Sequence, residues 1–288
     1  MNIKKCLWLF FLCFLSAPSI QAQRNYIDIP NYILCINSYA ESTPWSTRMI
    51  STISEYVQKD PQLALYAEHM NTFMIDNDSI LKEFKNMLSQ KYTQPHPRLL
   101  VLLGSPAFTL RDEYRKLWGD IPIVLCSEEA FQGPHEAYLQ KQAIKLKDRT
   151  PIAQFSKPYN MVFLYSELYL RENVQLINHI KPNIKKFIFI GDKREVNLSA
   201  SLDTQNELRV KNPKIEYQFL TPQKMTTNQL PDSLYRVDPQ TTGILFASWF
   251  YKTTFAGNTS LMSNDHKLIV TTPAPIFTLN MTDITEEN

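Results

Sequence analysis

Short apolar runs alternate along this chain with longer stretches in which apolar residues recur at helical spacing. Residues 32–36 form a β-rich run. Residues 99–103 and 121–126 are almost wholly apolar, the signature of strands covered on both faces. Between the first two runs, Met49, Ile50, Ile53, Tyr56 and Val57 fall on one helical face, behind the capping residues Ser42 and Thr43 and a Pro44 suited to the first turn. Residues 63–70 read as a second strand. Asp76, Asn77 and Asp78 offer caps to a helix carrying Ile80, Leu81, Phe84 and Leu88, and Gly104-Ser105-Pro106 turns the third strand into a helix reaching Trp118. The order β-α-β-α-β-α-β predicts a parallel doubly wound sheet.

The pattern then repeats in kind. Residues 132–160 are polar and mixed, and are expected to cross between two lobes. A strand at 161–164 is expected to open the second unit, followed by a helix through Leu168, Val174, Ile177 and Ile180 that Pro182 ends. Residues 187–190 read as a buried strand ending in Gly191-Asp192. A helix over 198–210, a strand at 215–219, a helix near 228–235 and strands at 244–247 and 267–271 complete the unit. The expected fold is α/β, with two doubly wound parallel-sheet lobes: 23–131 the N-terminal lobe, 132–160 the crossover, 161–272 the C-terminal lobe and 273–288 a truncated return segment.

The N-terminus breaks this pattern. Lys4 and Lys5 precede an apolar run at residues 7–15, about half the twenty or so residues a membrane-spanning helix needs. Pro18 and Ser19 end the run, and Ala22 is a small residue before Gln23. This is the layout of a secretory signal peptide covering 1–22, in preference to a membrane anchor, and it predicts a periplasmic or other extracytoplasmic location. Cys13 lacks the small residues before it that a lipoprotein anchor would want. Removing 22 of 288 residues takes away Lys4 and Lys5, so the net charge of +2 falls to zero, and with no basic run in the chain nucleic-acid binding is not expected. Cys35 and Cys126 remain, both in apolar runs. With the third strand between theirs they stand roughly 10 Å apart, too far for a disulfide, and are expected to be free.

Familiar catalytic motifs are absent. The six glycines make no phosphate-cradling loop, and the five histidines show no metal-ligand spacing, so neither cofactor nor metal is expected. Ser105 follows a buried strand, but Leu103 and Ala107 break the nucleophile-elbow pattern, so Ser105 reads as a helix cap and a secreted hydrolase as the weakest alternative. Glu128-Glu129 reads as a solvated turn. In doubly wound sheets ligands lie beyond the carboxyl ends of the strands. That position singles out Ser38, Tyr39, Trp45, Ser105, Asp192 and Trp249, with the two tryptophans reaching a small-molecule ligand from opposite lobes.

Several of these stretches also carry a resemblance. Ile33-Leu34-Cys35-Ile36-Asn37-Ser38-Tyr39 with Pro44-Trp45, Glu68-His69-Met70-Asn71-Thr72, Asp120-Ile121-Pro122-Ile123-Val124-Leu125-Cys126, Lys181-Pro182 with Phe187-Ile188-Phe189-Ile190-Gly191-Asp192, Ser248-Trp249 and Pro275-Ile276-Phe277 resemble the landmarks of periplasmic binding protein-like domains of type I. Such domains are the sensors of bacterial membrane histidine kinases, often hybrid two-component kinases, and are similar to substrate-binding proteins of ABC importers. The resemblance spans about residues 30–280. The chain departs from it at Ser127-Glu128-Glu129, where a glycine is usual, and at Ser105-Pro106-Ala107, where acidic residues are usual. It implies a non-catalytic ligand sensor for a two-component system, partnered by a histidine kinase region, or a soluble binder partnered by an ABC permease, and leaves a homodimer open.

Overall fold

Covering a strand on both faces requires apolar side chains on both, and Leu99–Leu103 supplies them without a break. In the computed structural model, which describes residues 30–255, 258–263 and 274–279, this strand (β3) lies at the centre of a five-stranded sheet. Its neighbours are β1 (Tyr32–Asn37), β2 (Ala64–His69), β4 (Ile123–Ser127) and β7 (Met161–Tyr165), in the order β2-β1-β3-β4-β7, and every pairing is parallel. Alternate residues point to opposite faces. Leu34, Ile36, Leu100, Leu102 and Leu125 meet Leu81 and Leu88 of helix α2 (Asp78–Lys91), with Phe108, Tyr114 and Trp118 beyond. Cys35, Val101, Leu103 and Cys126 meet Trp45, Met49, Ile50 and Ile53 of α1 (Pro44–Val57). Each fully buried leucine here stabilises the fold by about 1.5–3 kcal/mol.

The caps follow the sequence in part. Asn77 accepts hydrogen bonds from the backbone N–H of Ser79 and Ile80 and so caps α2, while α1 begins at Pro44 without a side-chain cap from Thr43. The single helix expected from Ser105 to Trp118 is two, α3 (Ser105–Phe108) and α4 (Arg111–Trp118).

The second sheet contains β8 (Lys186–Ile190), β9 (Glu216–Leu220), β10 (Thr242–Phe246) and β13 (Ile276–Thr278), all parallel, in the order β13-β10-β8-β9. Val174 and Ile177 of α6 (Leu170–Ile180) and Ala200 and Leu208 of α7 (Glu195–Lys211) cover one face; Leu230 and Leu234 of α8 (Gln229–Tyr235) cover the other. Among the described residues no helix is long and apolar enough to cross a membrane.

Three expectations change. The strand expected to open the second lobe is β7, which pairs with β4 as the last strand of the first sheet. Periodicity marks a strand but not which sheet takes it. Residues 132–160 are therefore an excursion that returns to the first sheet, through a two-residue pairing of β5 (Phe131–Gln132) with β6 (Thr150–Pro151) and the short helix α5 (His135–Leu139). The described part of the expected return segment is β13, an edge strand of the second sheet. An antiparallel hairpin, β11 (Phe250–Phe255) with β12 (Asn258–Ser263), was not anticipated. The signal peptide and the strand expected at 267–271 lie outside the described residues.

Cys35 and Cys126 are free and buried, with β3 between their strands, and burial pushes their thiols up to about 12 and about 11. A chain beginning at Gln23 should show two thiols when titrated unfolded without reductant, and almost none when folded. Finding none in the unfolded chain would contradict the strand order.

Candidate ligand-binding cleft

The carboxyl ends of both parallel sheets converge on the boundary between the lobes. Tyr39, following β1, lines a gap there with Thr72, Pro106 and Glu129 of the first lobe, Tyr138 and Lys141 of the excursion, and Arg194, Glu195 and Val196 at the start of α7. The gap measures about 20 Å³, room for roughly one water. Glu129 and Val196 also line a larger hollow of about 650 Å³ beside α7, within the size range of small-molecule sites.

Two acidic groups meet across the gap. Glu129 follows β4 and Glu195 opens α7; they are 7% and 5% exposed, and their carboxyls hydrogen-bond to each other. Two carboxyls can bond only with a proton between them. Burial, then the neighbouring Glu195, raises Glu129 well above its usual range, and burial pushes Glu195 up to about 7 against the Ser199 hydroxyl bonded to it at 2.8 Å. The pair therefore keeps a proton above the usual carboxyl range. Burial also raises the half-buried Glu128, opposed by Arg194. The Glu128-Glu129 pair is thus part of the lobe boundary, not a solvated turn.

Arg194 is held from behind. Its guanidinium binds Asp192 through Nε at 3.0 and 3.1 Å and Nη2 at 2.9 Å, and Ser248 Oγ donates to the same carboxylate at 2.7 Å. Burial works against ionising Asp192, but the Arg194 charge and these bonds outweigh it and hold the carboxyl below its usual range. At the outer edge, Asp76 of the first lobe meets three ammonium groups: Lys141 at 2.9 Å, Lys193 at 3.4 Å, and Lys252. On the lining of the hollow, Arg149 binds Asp203 at 2.8 Å and Ser199 Oγ accepts from the Ile144 N–H at 2.9 Å.

Of the six residues singled out from sequence, Tyr39 lines the gap. Its position requires Gly104, at φ +86°: a Cβ there would lie 2.9 Å from the Tyr39 hydroxyl. Ser105 and Asp192 stand behind the gap, Ser105 bonded to Ser127 Oγ at 2.9 Å and Asp192 to Arg194. Ser38 is a buried strut, donating to the Gly104 carbonyl and accepting from the Ala107 N–H. Trp45 is half-buried on the α1 side and reaches the cleft only through its edge-on contact with Tyr39, 5.8 Å between centroids. Trp249 is fully buried in the second core with its indole N–H on Thr227, so the expected pair of tryptophans does not face across the lobes. Glu129, Arg194 and Glu195 were missed as site residues. Their place after buried strands put them at the right end of each sheet, but nothing local set them apart from other polar turn residues.

No protein-family model matches this chain, and no curated protein matches it. Among solved structures it is similar to a protein assigned as a LacI transcriptional regulator from Bacteroides fragilis, at 10% identity and a TM-score of 0.49 over 75% of this chain and 69% of that one. It is also similar to a periplasmic binding protein/LacI transcriptional regulator from Alkaliphilus metalliredigens QYMF complexed with D-xylulofuranose (16%, TM-score 0.43, 75% and 67% covered). A third is an ABC domain from Streptococcus pneumonia in complex with L-Trp (14%, TM-score 0.42, 75% and 64% covered).

The two kinds of aromatic residue should behave differently. Trp249→Ala should cost about 3–5 kcal/mol of stability, as core truncations do. Tyr39→Phe removes a hydroxyl with no hydrogen-bond partner among the described residues and should change stability by less than about 0.5 kcal/mol. Denaturant unfolding of both variants checks this.

Proposed function

We propose that this chain is an extracytoplasmic sensor domain that holds a small molecule between its two lobes, without chemistry, and passes the bound state to a histidine kinase region of a two-component system. One observation carries the reading: polar side chains from the carboxyl ends of both parallel sheets meet in a single gap, where ligands of doubly wound folds bind. Lys4-Lys5 and the apolar run after them support export. The gap admits roughly one water, so a ligand enters an opened form and its contacts with both lobes favour closure. That difference in lobe arrangement is the signal a kinase region would read.

A thermal-shift screen of the chain from Gln23 onward against sugars, amino acids, amines and organic acids tests the binding role. A ligand at a hundred times its Kd adds about 2.7 kcal/mol to the folded state and should raise Tm by about 5 °C or more. No shift with any class would contradict a binding role.

A further inference from the structure

The lobe boundary is rich in acidic groups that pair directly with no cation among the described residues: the charge of Arg194 acts on Glu128 and that of Arg149 on Glu195, but neither forms an ion pair with them. The nearby cations are engaged elsewhere: Arg194 with Asp192, Arg149 with Asp203, Lys141 with Asp76. Glu128, Glu129 and Glu195 form no ion pair among the described residues. Between Glu129 and Glu195 a proton serves as the only positive bridge. A second, independent feature points the same way. Tyr39 is 9% exposed, lines the same gap, and its hydroxyl has no hydrogen-bond partner among the described residues. The hydroxyl is therefore free to bond a group that enters the gap.

We propose that the gap binds the ammonium group of an organic amine, with Glu129, Glu195 and the Tyr39 hydroxyl as its three acceptors and the rest of the molecule in the hollow beside α7. The proposal rests on the binding role above and names the class of ligand. An ammonium carries three N–H donors and no acceptor, which matches three acceptors drawn from both lobes. On opening, the shared proton leaves to solvent and the ammonium takes its place, bridging the lobes as the proton did. The hollow suits an amine's body: Tyr165 and Tyr169 are 46% and 58% exposed there, and Glu167, Glu172, Asp203 and Glu207 outnumber Arg149 and Arg171 on its lining. A neutral polyol would leave the ionised pair uncompensated, and an anion would meet it as a like charge. Among the described residues no three acidic, histidine or cysteine side chains are placed to hold a metal ion.

Three five-carbon probes that differ in charge test this: 1,5-diaminopentane, 1,5-pentanediol and glutarate. Titration calorimetry at pH 8 on the chain from Gln23 onward should show the diamine binding at least tenfold more tightly than the other two. Glu129→Gln and Glu195→Gln, each keeping a hydrogen-bonding group in place, should each weaken the diamine at least tenfold, and Tyr39→Phe severalfold. Equal binding of the diol, preference for glutarate, or Gln variants that bind the diamine like the parent would overturn the amine assignment. So would silence with all three probes. A neutral or anionic hit in the broader metabolite screen would then leave the binding role standing, whereas a silent screen would remove both.

Discussion

Parallel strands covered on both faces leave little choice about where polar chemistry goes. In each lobe helices cover the two sides of the sheet, so the strand interiors are apolar and the charged and hydroxyl groups gather at the carboxyl ends. Here the ends of the two sheets face each other. Groups that would be solvated on a single lobe are buried by the other, and the boundary must neutralise its charges internally.

It does so in three ways. Arg194 and Asp192 pair within the second lobe, with Ser248 completing the bonds. Asp76 gathers lysines from the excursion and the second lobe at the edge. Glu129 and Glu195 form no ion pair among the described residues and share a proton instead. The first two arrangements are complete in themselves. The third holds only while a proton lies between the carboxyls.

Much of the fold was legible because its signals are local. Leu99–Leu103 reads as a strand covered on both faces, and it is the central one. Alternation marked the first four strands, and the usual strand order of doubly wound sheets placed the third between the first and fourth, which leaves Cys35 and Cys126 free. What was not legible depends on partners distant in sequence. Met161–Tyr165 could extend either sheet, and only its pairing with Ile123–Ser127 decides. Trp249 sits where a cleft residue would, but the core around Leu230 and Leu234, with Thr227 beneath its indole, takes it in. Glu128-Glu129 resembles any polar turn until Glu195 closes over it. Burial of an acid is a property of the assembled lobes, and no local pattern encodes it.

The central claim is that two carboxyls lie buried against each other across the lobes, and the dependence of stability on pH tests it most directly. Both titrate above the ordinary value of 4.5 in the folded chain, Glu195 at about 7. Between pH 4.5 and 7 the folded chain thus holds protons that the unfolded chain has released. Their stabilisation is full below 4.5 and is lost as pH rises, by up to about 1.4 kcal/mol per pH unit for each proton. The depressed Asp192 acts in the opposite sense, but below its ordinary value of 3.8 and outside this window. Melting temperature measured from pH 5 to pH 8 should therefore fall as pH rises, and should fall less steeply in Glu129→Gln. A level or rising profile, or the same slope in the variant, would contradict the account.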